Sequence, residues 1–236
     1  MTRYQQIILD VDDTLIDSKK TENYSIKTLF ARHNWKLTPE LQKAYHTWNQ
    51  GLWRKLEQGE ISYDELSVRT FGDFMRDHMN LEVDGRALIN EYRSYFGQCH
   101  ELLPGARDFL KYAKRQGYQL AVLSNGESFM QHKRLKDAGI EDMFDLIVIS
   151  DETGSQKPEA AIFDYFFAKS QVAPEKTVFF GDGLKSDILG AENYGFDSIW
   201  YNHRHRKDTI GLHPLFEVDT YEEFIKLLQH DFKKTW

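Results

Sequence analysis

The sequence predicts an α/β fold in which helices flank a parallel β-sheet and an all-helical domain is inserted after the first strand. A short apolar run at residues 7–9 leads directly into the acidic stretch 10–13. Residues 18–98 then show helical periodicity with frequent aromatic side chains and no convincing strand. From residue 103 onward, strand-like apolar runs alternate with helical patterns. Such alternation is typical of βαβ units, and therefore of a parallel sheet.

The elements of the predicted sheet domain follow one another along the chain. The first strand covers residues 5–11, and the insert separates it along the chain from the other strands of the sheet that it must join. The later elements are helix 105–116, strand 119–123, helix 127–138, strand 144–149, helix 159–170, strand 177–181, helix 187–194, strand 197–201 and helix 220–232. We therefore expect a Rossmann-like core of residues 1–17 and 101–236, and an inserted helical domain of residues 18–100.

Local signals support several of the helix boundaries. Thr38 followed by Pro39 fits an N-cap residue and the first position of a helix. Ser62 with Glu65 three residues later has the form of a capping box, in which each side chain satisfies a backbone N–H of the other. Two glycines fit the position just after a helix C-terminus: Gly117 and Gly139.

The composition narrows the classes of partner. The chain has 236 residues, and 30 Lys and Arg against 37 Asp and Glu give a net charge of -7, which argues against a nucleic-acid polymer as partner. No apolar stretch approaches the ~18 residues of a membrane span. The single Cys99, and an N-terminus that runs straight into the first strand, indicate a cytoplasmic protein. We expect a small-molecule ligand, a monomer or homodimer, and a solvated loop at the basic run 203–206.

Two acidic clusters follow runs that read as strands. Asp10 and Asp12 come directly after the first strand, and Asp182 and Asp187 come after strand 177–181. The carboxyl ends of parallel strands share one edge of the sheet, where open α/β sheets bind their ligands. Carboxylates that meet there repel one another unless a proton or a cation relieves them. We therefore expect a hard divalent cation at this edge, Mg²⁺ or alternatively Mn²⁺.

Two further signals lie between the acidic clusters. Ser124, Asn125 and Gly126 end a strand-like run, and Lys157 stands before a helical pattern. Because a helix N-terminus favours anions, the backbone N–H groups of Asn125 and Gly126 are candidates for binding an anion. In chain order the acid pair, the hydroxyl, the lysine and the second acid pair resemble the haloacid dehalogenase (HAD) superfamily in its phosphatase form. The resemblance covers nearly the whole chain.

The resemblance implies a role for each of these residues. Asp10 would be the nucleophile that forms an aspartyl-phosphate, and Asp12 would be the general acid and base. Ser124 would bind the transferring phosphoryl group, and Lys157 would balance its charge. The implied metal ligands are Asp10, Asp12 through its backbone carbonyl, Asp182 and Asp187. Of the last two, Asp182 is expected to coordinate directly, and Asp187 to act through a water or by holding Lys157. The implied activity is Mg²⁺-dependent hydrolysis of a phosphomonoester.

Other functions on the same machinery remain open. A haloalkanoic-acid dehalogenase also uses an Asp nucleophile, but its halide leaves unprotonated, so it needs neither an acid at Asp12 nor an acidic metal cluster. A broad phosphatase of phosphoglycolate or phosphosugars, or a phosphosugar mutase, would use the same core. A catalytically inactive sensor or scaffold would bind a phosphate ligand without needing both Asp10 and Asp12.

The insert, as a cap domain, is expected to select the substrate. Its stretches 45–53 and 57–61, together with residues 181–187 of the core, resemble the pyrimidine 5′-nucleotidase branch, which implies a nucleoside monophosphate substrate. Asn49 and Trp53 lie one helical turn apart, and their amide and ring could bond to and stack on a base. Trp53 could equally belong to the core of the insert. An adjacent face carries an apolar stripe at helical spacing: Tyr45, Trp48, Leu52 and Leu56.

Overall fold

The computed structural model describes residues 3–232, so residues 1–2 and 233–236 of the predicted core lie outside the described part. The chain folds into two compact units. One unit is Lys19–Cys99, and the other comprises the chain on both sides of it. That residues 18–100 act as a separate cap domain stays a proposal.

The larger unit is built on one parallel sheet, which confirms the predicted α/β fold class. Its strands run in the order β3-β2-β1-β4-β5-β6, and every neighbouring pair is parallel. The strands are β1 Gln6–Leu9, β2 Gln119–Ser124, β3 Leu146–Ile149, β4 Thr177–Gly181, β5 Asp197–Tyr201 and β6 Phe216–Val218. The chain order reverses on either side of β1, so the ends of β1, β2 and β4 lie at the switch point where such sheets bind ligands.

All the regular elements of the smaller unit are helices. Its helices are α1 Ser18–Arg32, which begins at the unit boundary, α2 Pro39–Glu57, α3 Tyr63–Arg69, α4 Gly72–Met79 and α5 Gly85–Phe96. Thr38 caps α2 by accepting from the Leu41 N–H, and both bonds of the Ser62–Glu65 capping box are present, which confirms these two predictions. The predicted stripe on α2 packs into two apolar clusters, with Tyr45 and Leu52 buried.

Helices cover both faces of the sheet. They are α6 Ala106–Arg115, α7 Ser128–Asp137, α8 Ser150–Thr153, α9 Ala160–Lys169, α10 Leu189–Tyr194 and α11 Tyr221–Gln229. Successive side chains of a strand point to opposite faces, so Ile7 packs in one apolar cluster and Ile8 in the other. The predicted helix 187–194 differs in one respect, because a π-helical turn, Leu184–Ile188, precedes α10.

The chain passes between the two units at two segments, residues 16–17 and 101–102, and these segments are bonded to each other. Ile16 forms an antiparallel bridge with Leu102, and the Asp17 N–H donates to the Glu101 carbonyl at 2.9 Å. The chain therefore leaves and re-enters the core at one place. Within residues 3–232, none of the helices combines the length and the apolar character needed to cross a bilayer.

Candidate active site

A buried lysine joins the first and last sequence motifs at the carboxyl edge of the sheet. Lys157 is 1% exposed, and its Nζ donates to Asp10 Oδ1, Asp187 Oδ1 and the Leu123 carbonyl, each at 2.7 Å. Asp10 follows β1 directly, and Asp187 lies in the π-helical turn after β4. Three acceptors satisfy the three ammonium hydrogens, so the ammonium is held rigidly between the two carboxylates.

Burial and charge act in opposite directions on this group of side chains. Burial raises the pKa of Asp10 to about 7, against the lowering effect of the nearby Lys157 ammonium. Burial also disfavours the charged form of Lys157, but the carboxylates of Asp10 and Asp187 outweigh it and raise the pKa of the lysine above its usual value. The lysine is therefore a fixed positive charge, which suits the binding of an anion next to Asp10.

A third carboxylate completes an acidic cluster beside the lysine. Among the described residues, carboxylate oxygens of Asp10, Asp182 and Asp187 lie within 4.8 Å of one another. Thr14 links the first and last motifs, since its hydroxyl accepts from the Asp182 N–H at 3.1 Å. Burial raises the pKa of Asp182 well above its usual range. Buried, mutually close carboxylate oxygens are the donor set that a hard divalent ion prefers, so these residues fit Mg²⁺ or Mn²⁺.

The glycine at the end of β4 is required by the position of Asp187. A Cβ built on Gly181 would lie 2.3 Å from Asp187 Oδ2, which also accepts from the Gly183 N–H at 2.9 Å. Any side chain at position 181 would push Asp187 away from the lysine. This close approach explains why glycine stands directly before Asp182 in the sequence.

Asp12 has its own basic partner. Its carboxylate accepts from Arg134 Nη1 at 2.8 Å, from the Ser18 hydroxyl at 2.7 Å and from Gln131 Nε2 at 2.7 Å. Burial raises the pKa of Asp12, but the Arg134 charge and these hydrogen bonds outweigh burial and hold it below its usual range. The two carboxylates of the first motif thus sit in different surroundings, with pKa values shifted in opposite directions.

The loop after β2 is tied to the segment that carries the lysine. Ser124 is 1% exposed and lies 3.3 Å from Gln131 Nε2. The Asn125 side chain exchanges two hydrogen bonds with the backbone of Lys157, at 2.8 and 2.9 Å. The Gly126 N–H donates to Ser150 Oγ at 3.0 Å. The side chain of Asn125 and the N–H of Gly126 therefore have protein partners, and phosphoryl binding by this loop stays a prediction.

The basic run 203–206 is only in part the solvated loop that we expected: His205 and Arg206 are exposed, but three of the four side chains are bonded to acidic residues or their backbone. Arg204 Nη2 donates to Asp13 Oδ1 at 2.5 Å, and Arg206 Nη2 donates to Asp182 Oδ2 at 2.5 Å. His203 Nε2 donates to the Asp13 carbonyl at 3.0 Å. The loop lies on the acidic residues because it leaves β5, whose carboxyl end is at the same edge of the sheet as those of β1 and β4. Its charges compensate carboxylates that Lys157 does not reach.

The two residues predicted to contact a base lie in the helical unit. Asn49 Nδ2 donates to Glu22 Oε2 at 2.9 Å, and Glu22 also accepts from His46 Nδ1 at 2.6 Å. Trp53 is 37% exposed and makes an edge contact with the Tyr63 ring, with centroids 6.4 Å apart. Trp53 is therefore outside the core of the insert, whereas contact of either residue with a substrate stays a prediction.

The sequence matches known hydrolases along most of its length. The family model of the haloacid dehalogenase-like hydrolases matches residues 4–195. The chain belongs to this family. It is 34% identical over 229 residues to the HAD-hydrolase YfnB of Bacillus subtilis, covering 97% of both chains. It is 31% identical to the pyrimidine 5′-nucleotidase PynA of Streptococcus pneumoniae, covering 95% of both, and 30% identical to the pyrimidine 5′-nucleotidase YjjG of Escherichia coli, covering 96% of this chain and 98% of that one.

Solved structures agree with this HAD-family assignment. A crystal structure of YfnB bound to magnesium superposes with a TM-score of 0.92 at 34% identity, covering 96% of this chain and 99% of that one. An L-2-haloacid dehalogenase of Xanthobacter autotrophicus reaches a TM-score of 0.74 at 17% identity, covering 96% and 98%, and this likeness concerns the fold alone. This HAD-family protein is thus an enzyme of the hydrolase class.

From the burial of the Asp10 and Asp182 carboxylates, we predict that metal binding depends on pH. Because the pKa values of Asp10 and Asp182 are raised, protons occupy the cluster as the pH falls through about 7, and a cation must displace them. We expect the Mg²⁺ affinity, measured by titration calorimetry, to fall by up to about tenfold per pH unit for each displaced proton. Asp182→Asn should remove most of the binding, whereas Asp145→Asn, at a carboxylate paired with Lys114, should not. An affinity that stays flat between pH 8 and pH 6 would contradict the prediction.

Proposed function

We propose that this HAD-family enzyme hydrolyses phosphomonoesters through an aspartyl-phosphate on Asp10, with Mg²⁺ bound at the acidic cluster and a pyrimidine nucleoside monophosphate as substrate. The observation that carries the chemical part is the placement of Asp10. Asp10 follows the central strand and is 7% exposed, and one of its carboxylate oxygens accepts from Lys157. A nucleophile and a fixed positive charge are what attack on an anionic phosphoryl group requires.

In the first half of the reaction, an oxygen of Asp10 attacks phosphorus and the bond from phosphorus to the ester oxygen breaks. Because Lys157 holds Oδ1, we assign the attack to Oδ2. The leaving alkoxide takes a proton from Asp12, which must bind that proton before the attack because its pKa in the free enzyme lies below the usual range. The Ser124 hydroxyl binds an oxygen of the transferring group, and the Lys157 ammonium, whose hydrogens are all bonded within the protein, balances the charge of that group through space. The carboxylates of Asp10, Asp182 and Asp187 would hold Mg²⁺, which would supply further positive charge to the transferring group.

In the second half, Asp12 takes a proton from a water molecule that attacks the phosphorus of the aspartyl-phosphate. The bond from phosphorus to the Asp10 oxygen breaks, so that inorganic phosphate forms and Asp10 returns to its starting state. The Arg134 charge, which lowers the pKa of Asp12, favours the carboxylate form that this step needs. Two carboxylates in different surroundings can thus divide the nucleophilic and proton-transfer roles.

A second reaction on the same fold is dehalogenation, since L-2-haloacid dehalogenases share the architecture at 17% identity. Such an enzyme releases a halide that needs no proton. The Asp12 carboxylate with its buried Arg134, and the cluster of Asp10, Asp182 and Asp187, would have no task in that reaction. These features favour phosphoryl transfer over dehalogenation.

The substrate proposal rests on the relatives and on the helical unit. PynA and YjjG are named pyrimidine 5′-nucleotidases, and the core can recognise only the phosphoryl group that all monoesters share. Selection must then come from side chains that touch the rest of the substrate. In the helical unit, Trp53 and Tyr63 form an exposed aromatic pair, 37% and 41% accessible. An exposed ring offers the face that a planar base would stack on.

Replacing Trp53 with Ala should test the stacking. A base–aromatic stack contributes about 1–3 kcal/mol, so we expect kcat/KM for uridine 5′-monophosphate to fall roughly ten- to a hundredfold, with little change for p-nitrophenyl phosphate. Tyr24→Ala, at another exposed aromatic of the same unit, 48% accessible, is the matched control and should leave both rates unchanged.

The outcome separates the two parts of the proposal. Equal losses on both substrates, with a lowered melting temperature, would identify Trp53 as a packing residue. A panel of monoesters in which phosphosugars or phosphoglycolate outperform every nucleotide would reject the nucleotidase assignment and keep the phosphatase assignment. An absence of turnover on every ester with Mg²⁺ present would reject both.

A further inference from the structure

Two polar side chains of α7 are buried beside the first motif. Gln131 and Arg134 lie one turn apart on this helix and are 1% and 0% exposed. They share the inward face with Leu135, which is fully buried. Inward positions of a helix are normally apolar, and burying a guanidinium is costly unless it is paired. Both residues therefore occupy positions where an apolar side chain would be expected.

The hydrogen bonds of this pair converge on Asp12. Arg134 Nη1 donates to Asp12 Oδ1 at 2.8 Å and to Gln131 Oε1 at 3.1 Å. Because the Gln131 oxygen faces the arginine, its NH₂ group faces the site, where it donates to Asp12 Oδ2 at 2.7 Å and lies 3.3 Å from Ser124 Oγ. The arginine thus sets the orientation of the amide, and together the two side chains hold both oxygens of the carboxylate.

The carboxylate they hold is not itself part of the packed interior. The Asp12 side chain is 33% exposed, against 0% for Arg134. An ion pair that served stability alone could be replaced by apolar side chains at little cost. A rigid pair of buried donors on a partly exposed carboxylate instead fixes the direction in which that carboxylate points, which is what a proton-transfer group needs.

We infer that Gln131 and Arg134 are positioning residues that aim the Asp12 carboxylate at the leaving oxygen of the substrate. The inference rests on the proposed function, because it assigns a support to the acid of that mechanism. Neither residue touches the reacting atoms. They affect the reaction by fixing the orientation of Asp12. Gln131 also bonds to the Ser124 hydroxyl and so helps to orient it.

A positioning role has a consequence that a structural role lacks, namely sensitivity to the leaving group. An alkoxide needs a proton as it departs, whereas p-nitrophenolate leaves without one. The value of kcat/KM reports the steps up to loss of the leaving group, so misplacing Asp12 should lower it for alkyl esters and spare it for p-nitrophenyl phosphate. The later attack of water is common to both substrates, so kcat should fall on both.

The test compares Gln131→Leu and Arg134→Met with the wild-type enzyme on two substrates. The alkyl ester is the best substrate of the monoester panel, and the aryl ester is p-nitrophenyl phosphate. General acid catalysis contributes about 10²–10⁴-fold, so we expect kcat/KM on the alkyl ester to fall at least about tenfold more than on the aryl ester. Asp12→Asn should show the same selectivity with a larger loss.

Arg107→Met is the matched control. Arg107 is an exposed arginine that donates to the Ala138 and Gly139 carbonyls just after α7, so it supports the same helix without contacting Asp12. This variant should melt earlier than the wild type and show no selectivity between esters.

Four outcomes would overturn the inference or its basis. Equal losses on the two esters, or no loss, for both Gln131→Leu and Arg134→Met would overturn it while leaving the phosphatase assignment in place. Failure of both variants to fold would assign the pair to stability instead. Absence of selectivity in Asp12→Asn would remove Asp12 as the acid. An inactive wild type would reject the proposed function itself.

Discussion

Replacing Asp10 with Asn should abolish turnover, by at least about 10⁴-fold, while the fold stays intact. An amide has the shape of the carboxylate but does not attack phosphorus. Lys157 would keep its bonds to Asp187 and to the Leu123 carbonyl, so the buried ammonium remains compensated. Phosphate release by the purified variant, with circular dichroism and melting temperature beside it, measures the effect.

Asp13→Asn is the matched control for this variant. Asp13 lies on the same loop with a positive φ of 58°, a conformation that Asn also tolerates. Its carboxylate pairs with Arg204 and has no part in the attack, so we expect a loss within about tenfold. If Asp10→Asn kept a comparable rate, with reversion to Asp excluded by mass spectrometry, the covalent mechanism would be wrong.

Lys157→Met should lower both activity and stability. Removing the charge that faces the phosphoryl group should reduce kcat by about 10²–10³-fold, the usual loss for one preorganised electrostatic partner. The variant also leaves Asp10 and Asp187 buried without their common partner, and breaking a buried ion pair on one side costs about 3–5 kcal/mol of unfolding free energy. Chemical denaturation of the metal-free proteins measures the second effect.

The loss of unfolding free energy in Lys157→Met should depend on pH in a defined direction. In the variant the Asp10 carboxylate can be relieved only by a proton, which binds more fully as the pH falls. Because the Lys157 ammonium lowers the pKa of Asp10, the variant should bind this proton at a pH above the wild-type pKa of about 7. The stability difference from the wild type should therefore be largest at high pH and shrink as the pH falls toward about 7. Lys114→Met is the control, because that lysine pairs with Asp145 at the surface, 38% exposed, where an ion pair contributes at most about 1 kcal/mol. A stability difference that grows toward low pH would contradict this prediction.

The main elements of the core could be predicted from the sequence because each has a strong local pattern. The strand 197–201 was placed at its observed bounds, and β2 differs from its prediction by one residue, Ser124. Two short elements, α8 and β6, were not predicted. They have four and three residues, too few for a periodicity to show, and β6 forms only because β5 offers it an edge to pair with.

The site was predictable where residues follow strands, and not where they come from helices and loops. Asp10 and Asp182 are close in space because parallel strands end at one edge, a rule that can be applied to a sequence. Gln131 and Arg134 reach Asp12 from the side of a helix. Their spacing in the sequence could have revealed these two residues. At helical spacing, Gln131 and Arg134 fall on the same face as the apolar Leu135 and Ala138. The basic loop 203–206 carries no such pattern.

The position of β1 has a consequence for how the chain acquires its fold. β1 is made first but lies between β2 and β4, so during synthesis it has no strand to pair with until the whole insert has been made. Contacts between segments this far apart in the sequence form slowly, and unpaired strand edges are prone to aggregation. The bridge between Ile16 and Leu102 shortens this search, because closing the base of the insert brings β2 next to β1. The cost of closing such a loop grows only with the logarithm of its length, so inserts of different sizes could be exchanged between the same two crossings with little change in the folding of the sheet.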